Sequence, residues 1–206
     1  MAVTDWYRNE DWNEEIENHF NLKLGRTRTQ HDQYLVIQAL TLSRKKPLVA
    51  LELVNRYFET RSSDFENIRA LLAKSYAYKT MGDIQATLDV MKEIIETERR
   101  IPKHRTTTYV DFPYLVATSK LHNEYHTVLN VLEERKSELM FPIDKFKWQA
   151  SKSMINFELG NKDIAKVFAS LALATAKVEK SGFRFHQNLG LVGEEHKETI
   201  ERLSAI

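Results

Sequence analysis

The sequence contains no cysteine. That absence excludes disulfide frameworks, thiolate zinc sites and a cysteine nucleophile together. Glycine and proline are scarce, 6 and 4 in 206 residues. An all-β sandwich or barrel needs many tight turns and could not be built with so few. Long apolar runs are missing. The longest uncharged stretches, residues 33–43 and 167–176, fall well short of the ~20 residues that cross a bilayer. No sign of charge dominates: Lys and Arg number 30, Asp and Glu 29. Such balance gives no global attraction to nucleic acid or anionic lipid. The opening MAVTDWYRNEDW has no basic segment followed by an apolar core, so no secretory signal is expected, and cytoplasm is the expected compartment. There is no Gly-rich phosphate loop, no G-x-S-x-G and no EF-hand pattern, so neither an enzyme nor a cofactor site is expected.

What is present is helical periodicity. Trp12, Ile16, Phe20 and Leu24 recur at steps of four, with acid early and base late, as the helix dipole favours. Gly25 should end this helix. Asp32 is placed to cap a second helix running to about Arg44. Pro47 opens a third, over 47–60, because its missing N–H costs nothing at a first helical position. Ser62, Ser63 and Asp64 read as caps for the next. Gly82 should end that helix and Asp83 should cap its successor. Residues 97–113, with two prolines and three consecutive threonines, read as a long connection. Further helices are expected near 114–121, 127–137, 144–159, 163–179 and 194–203. The fold class is therefore all-α, with about ten helices and no strand.

The helices repeat in pairs. Breaks at Lys45, Gly82, Asn123 and Gly160 are spaced by 37, 41 and 37 residues. Five residues after each break stands a small or medium residue: Ala50, Thr87, Val128, Ala165. Four further on come Val54, Met91, Leu132 and Ala169, and three beyond those Tyr57, Ile94, Arg135 and Ala172. The small residue is where two helices can cross closely, and the later positions should face the core.

This pattern, best seen in MGDIQATLDVMKEII and LGNKDIAKVFASLALA, resembles the tetratricopeptide repeat (TPR) family over roughly residues 31–180. The opening stretch, DWYRNEDWNEEIENHF through QYLVIQAL, is similar to bacterial TPR-containing proteins of unassigned function. The spacing exceeds the family's ~34 residues, which makes the array a divergent one. The resemblance implies a single domain over 1–206. An N-terminal helix (1–30), four antiparallel helix pairs (31–180) and a C-terminal cap (181–206) would form a right-handed solenoid. It implies a concave groove, lined by the first helix of each pair, that takes a peptide or helical segment of another protein. Carried onto this sequence, the groove residues are Arg69, Leu72, Tyr76 and Lys79, with Lys120, Lys147, Met154 and Phe157. The family's carboxylate-clamp members carry an Asn where Tyr76 and Met154 stand here, so recognition of a free C-terminus is not implied.

Three other features compete. Arg99, Arg100, Lys103, His104 and Arg105 form the densest basic stretch. It reads as a solvated loop, with a nucleic-acid-associated protein as the alternative function. His122 and His126 are spaced to share a helical face, but the repeat puts a break between them, so no metal site is expected. Trp6, Tyr7 and Trp12, and at the other end Phe183, Phe185 and Leu189, are either lids on the fold or contacts for a homodimer. The expected partner is another protein or peptide, without a membrane.

Overall fold

The computed structural model describes residues 5–206, with ten α-helices and, among these residues, no strand. The chain divides into two units, one ending at Arg105 and one running Thr106–Ile206.

The first unit opens with α1 (Glu14–Leu24). The Asn13 side chain accepts a hydrogen bond from the Ile16 backbone N–H, and Glu14, Glu15 and Glu17 fill the first turn. Both features satisfy the orphan donors and positive dipole of a helix start. Phe20 and Leu24 are buried. The helices that follow are α2 (His31–Leu42), α3 (Pro47–Thr60), α4 (Asn67–Met81) and α5 (Ile84–Arg100). Pro47 is the first residue of α3. Gly82 ends α4 in the left-handed region, φ 77°, and the Asp83 carboxylate accepts from Ala86 N. Two expected caps lie elsewhere. Asp32 sits inside the first turn of α2, and its carboxylate accepts from the backbone N–H and hydroxyl of Ser62, both at 2.8 Å. Burial would raise the Asp32 pKa, but these two bonds outweigh it and hold it low. Asp64 accepts from Arg61 and Asn67 side chains and caps no helix.

The second unit holds α6 (Thr108–Thr118), α7 (Tyr125–Glu134), α8 (Pro142–Glu158), α9 (Lys162–Ala176) and α10 (Lys197–Ser204). The connection expected over 97–113 is much shorter, because α5 continues to Arg100 and α6 already starts at Thr108 with Pro113 inside it. A proline within a helix forfeits one hydrogen bond. Here Tyr109, Val110, Phe112 and Pro113 are all buried, and that burial outweighs the loss.

Short connections join α2 to α3, α4 to α5, α6 to α7 and α8 to α9, and each of these pairs packs together. Within the first unit, α4 also packs on α2 and α3. Within the second, α8 packs likewise on α6 and α7. The aligned repeat positions behave alike. Ala50, Thr87, Val128 and Ala165 are buried, as are Val54, Met91, Leu132 and Ala169, and Tyr57, Ile94, Arg135 and Ala172. The small residue does what its size allows at α8 and α9, where Ser153 Oγ donates to the Ala165 carbonyl at 2.9 Å. No helix among the described residues is long and apolar enough to cross a membrane.

Candidate functional site

On α4, Arg69, Leu72, Tyr76 and Lys79 follow one another at helical spacing, so they share a face. Ile68 and Ser75 on one side, and Ala70, Ala73 and Ala77 on the other, are buried. The strip between them stays open: Arg69, Leu72 and Tyr76 are half-buried and Lys79 is exposed. Arg69 donates to Glu66 Oε2 at 2.8 Å. The Arg44 guanidinium, from the turn after α2, lies 5.0 Å from the centre of the Tyr76 ring. Helix α4 thus presents an aromatic surface with a cation from the α2–α3 turn against it. Arg44 was not among the residues singled out from sequence. It precedes a break that carries no glycine, and nothing in its spacing distinguished it.

The equivalent face of the second unit is built differently. Met154 is 1% exposed and belongs to the core, which corrects its placement among the groove residues. Lys147 Nζ donates to Asp111 Oδ1 of α6 at 2.6 Å and lies 6.0 Å from the Tyr114 ring centre. Its charge is neutralised within the unit and does not select an acidic partner. Lys120, whose backbone is left-handed at φ 53°, pairs with Glu158 at 3.0 Å. Of the α8 candidates only Phe157 is exposed.

The C-terminal segment adds further contacts to this unit. Tyr114 Oη meets Thr199 Oγ1 at 2.6 Å and His196 Nδ1 at 2.9 Å. Arg202 reaches Glu158 Oε1 at 3.1 Å and the Ala117 and Thr118 carbonyls at 3.4 Å. Helix α10 therefore joins α6 to α8 and covers side chains that an open face would expose. Glu158 receives Lys120, Arg202 and, at 3.8 Å, His122. The Lys120 hydrogen bond above all holds its carboxyl below the usual range. Burial pushes the phenols of Tyr114 and Tyr125 up, and the Tyr125 hydroxyl has no hydrogen-bond partner among the described residues.

The basic stretch is split. Arg99 pairs with Glu96, and Arg100 Nη2 donates to Thr97 Oγ1 at 3.3 Å. Lys103 and Arg105 are exposed. Arg100 and His104 line a cavity of about 260 Å³ with Phe58, Arg61, Asp64 and Glu93. Its walls mix both signs of charge and lack the uniform positive potential that tracks a phosphate backbone. His122 lies in a short turn, His122–Glu124, and His126 in α7, so they share no helix. Among the described residues no group of three or more His, Asp or Glu could hold a metal.

At the N-terminus, Trp6 and Tyr7 pack on Tyr34 at 4.9 and 4.4 Å between ring centres, and Trp6 and Trp12 on Phe20 at 5.5 and 5.4 Å. Gln38 holds this segment by accepting from Asn9 N at 2.9 Å and donating to Asn9 O at 2.7 Å. These aromatics cover the first unit's own core. Near the other end Phe183 stacks on Phe141 at 5.1 Å, while Phe185 stays 82% exposed. Comparisons of the chain with protein-family models, with curated proteins and with solved structures found no match.

Proposed function

We propose that this protein is a non-catalytic interaction module of the tetratricopeptide kind, a solenoid of four helix pairs that binds a peptide or helical segment of another protein. The observation that carries this reading is the common burial of the three aligned positions in every pair. Repeats that bury the same positions can stack on one another, and each then offers its first helix to a partner. The binding strip is the α2–α4 face. Leu72 and Tyr76 anchor the partner, because a half-exposed aromatic beside an aliphatic side chain adds contact area at little ordering cost. Arg44 and Lys79 favour a segment that carries acidic residues and speed its encounter, while Arg69 is held by Glu66. In the second unit the C-terminal helix covers the matching face, so that unit acts as support.

The test is affinity capture from the native host with the intact protein and with a Tyr76→Ala/Lys79→Glu variant whose helical content is verified by circular dichroism. A discrete partner captured by the first and lost from the second is the expected result. A partner retained by the variant, or none at all, overturns the assignment.

A further inference from the structure

Helix α9 is apolar on two faces. One face carries Ala165, Ala169 and Ala172, all buried. The other carries Ile164, Val167 and Leu171, exposed at 47, 59 and 45%, and the line continues through exposed Ala174 to Val178 at 39%. Steps of three and four residues place Ile164, Val167, Leu171 and Ala174 on one stripe, about 15 Å long at 1.5 Å per residue, and Val178 follows two residues past the end of α9. Exposed aliphatic side chains scattered singly need no explanation, but a continuous stripe along one helix marks an interaction surface.

The charges beside the stripe say what fits it. Asp163 and Lys177 are both exposed, fall on the same flank by helical spacing, and sit at opposite ends. Two such helices packed antiparallel across a two-fold axis keep each flank on its own side while exchanging ends. Asp163 of one copy then meets Lys177 of the other, twice. The same axis places Leu171 against Leu171 and Val167 against small Ala174. Apolar side chains meet apolar ones, and acid meets base. A cationic or an anionic partner helix would satisfy one of the two charges and oppose the other.

We propose that the outer face of α9 is a self-association surface, on which a second copy of this chain packs its own α9 antiparallel through Leu171. The stripe is smaller than the ~800 Å² per partner of a standard interface, so the dimer is concentration-dependent and of roughly micromolar strength.

Sedimentation of the full chain over a wide concentration range tests this. The expected result is a reversible monomer–dimer equilibrium, weakened at least about tenfold by Leu171→Glu. Asp163→Lys and Lys177→Asp alone should each weaken it, and the two together should restore it. Because the chain has no cysteine, Leu171→Cys should form a symmetric disulfide on mild oxidation, whereas Lys166→Cys, set away from the stripe, should not. A protein that stays monomeric throughout overturns the proposal. So does a dimer that Leu171→Glu leaves intact, which would move self-association elsewhere on the chain. Circular dichroism of each variant separates loss of association from loss of fold.

Discussion

Arg44 places its guanidinium 5.0 Å from the centre of the Tyr76 ring, tying the turn after α2 to the open face of α4. A cation over an aromatic face at an exposed site contributes about 0.5–1 kcal/mol. Its stabilising effect is modest, and its larger role is to hold the ring in place. Arg44→Ala should therefore lower the thermal midpoint only slightly, yet reduce capture of a partner part of the way towards Tyr76→Ala. Equal retention in both variants would remove the α2–α4 strip from the recognition surface.

Gly82 and Gly160 both stand at positive φ, 77° and 83°, at the breaks after α4 and α8. Neither has an atom within 4 Å of the space a Cβ would fill, so a substitution is opposed by backbone conformation alone. Gly82→Ala should cost about 1–2 kcal/mol, a fall of roughly 4–16 °C in a unit of this size. Gly182, with equally open space and no positive φ, supplies the control. Gly182→Ala should leave the melting temperature unchanged.

Ala165 is buried where α9 crosses α8, with the Ser153 hydroxyl on its carbonyl. Ala165→Leu should overpack this contact and destabilise by about 1–3 kcal/mol, measured by urea unfolding. Lys166→Leu, at the neighbouring exposed position, should be close to neutral.

Tyr114 Oη serves both Thr199 and His196. Tyr114→Phe keeps the ring and leaves two partners without their hydroxyl, an expected loss of about 1–2 kcal/mol. Hydrogen exchange should report it first in α10, as faster exchange at residues 197–204.

Glu158 has a lowered pKa in the folded protein, chiefly through the Lys120 hydrogen bond, against an ordinary value of 4.5. Because folding lowers this pKa, the ionised carboxylate stabilises the fold above 4.5. That contribution fades as pH falls through the lower folded value. Glu158→Gln should thus be less stable than the parent at pH 7, by about 1 kcal/mol or less for a partly solvated pair. The difference should vanish in acid. Chemical unfolding of both proteins at each pH reads it directly.

Local chemistry made much of the architecture legible. Pro47 opened α3, Gly82 and Asp83 closed α4 and started α5, and the periodic apolar residues located the buried positions of each pair. These signals act through near neighbours, so spacing alone reveals them. Asp32 shows the limit. Its type and place suit a helix cap, yet Ser62, thirty residues on, takes its carboxylate. The 97–113 segment shows it again, since its prolines and threonines read as a loop until burial of Tyr109 and Phe112 draws residues 108–118 into a helix.

The all-helical fold, the helix pairing and the repeated positions that turn inward are legible along the chain, because periodicity and capping are properties of a few consecutive residues. Only the tertiary structure decided which of the candidate residues remain on a surface. Met154 and Lys147 occupy positions on α8 that the pattern assigns to an open face. The first is enclosed in the core and the second is neutralised by Asp111. A periodic pattern records which face of a helix is apolar. It carries no record of which distant residue will come to face it, because that depends on contacts such as Lys147 with Asp111 that join residues far apart in the chain.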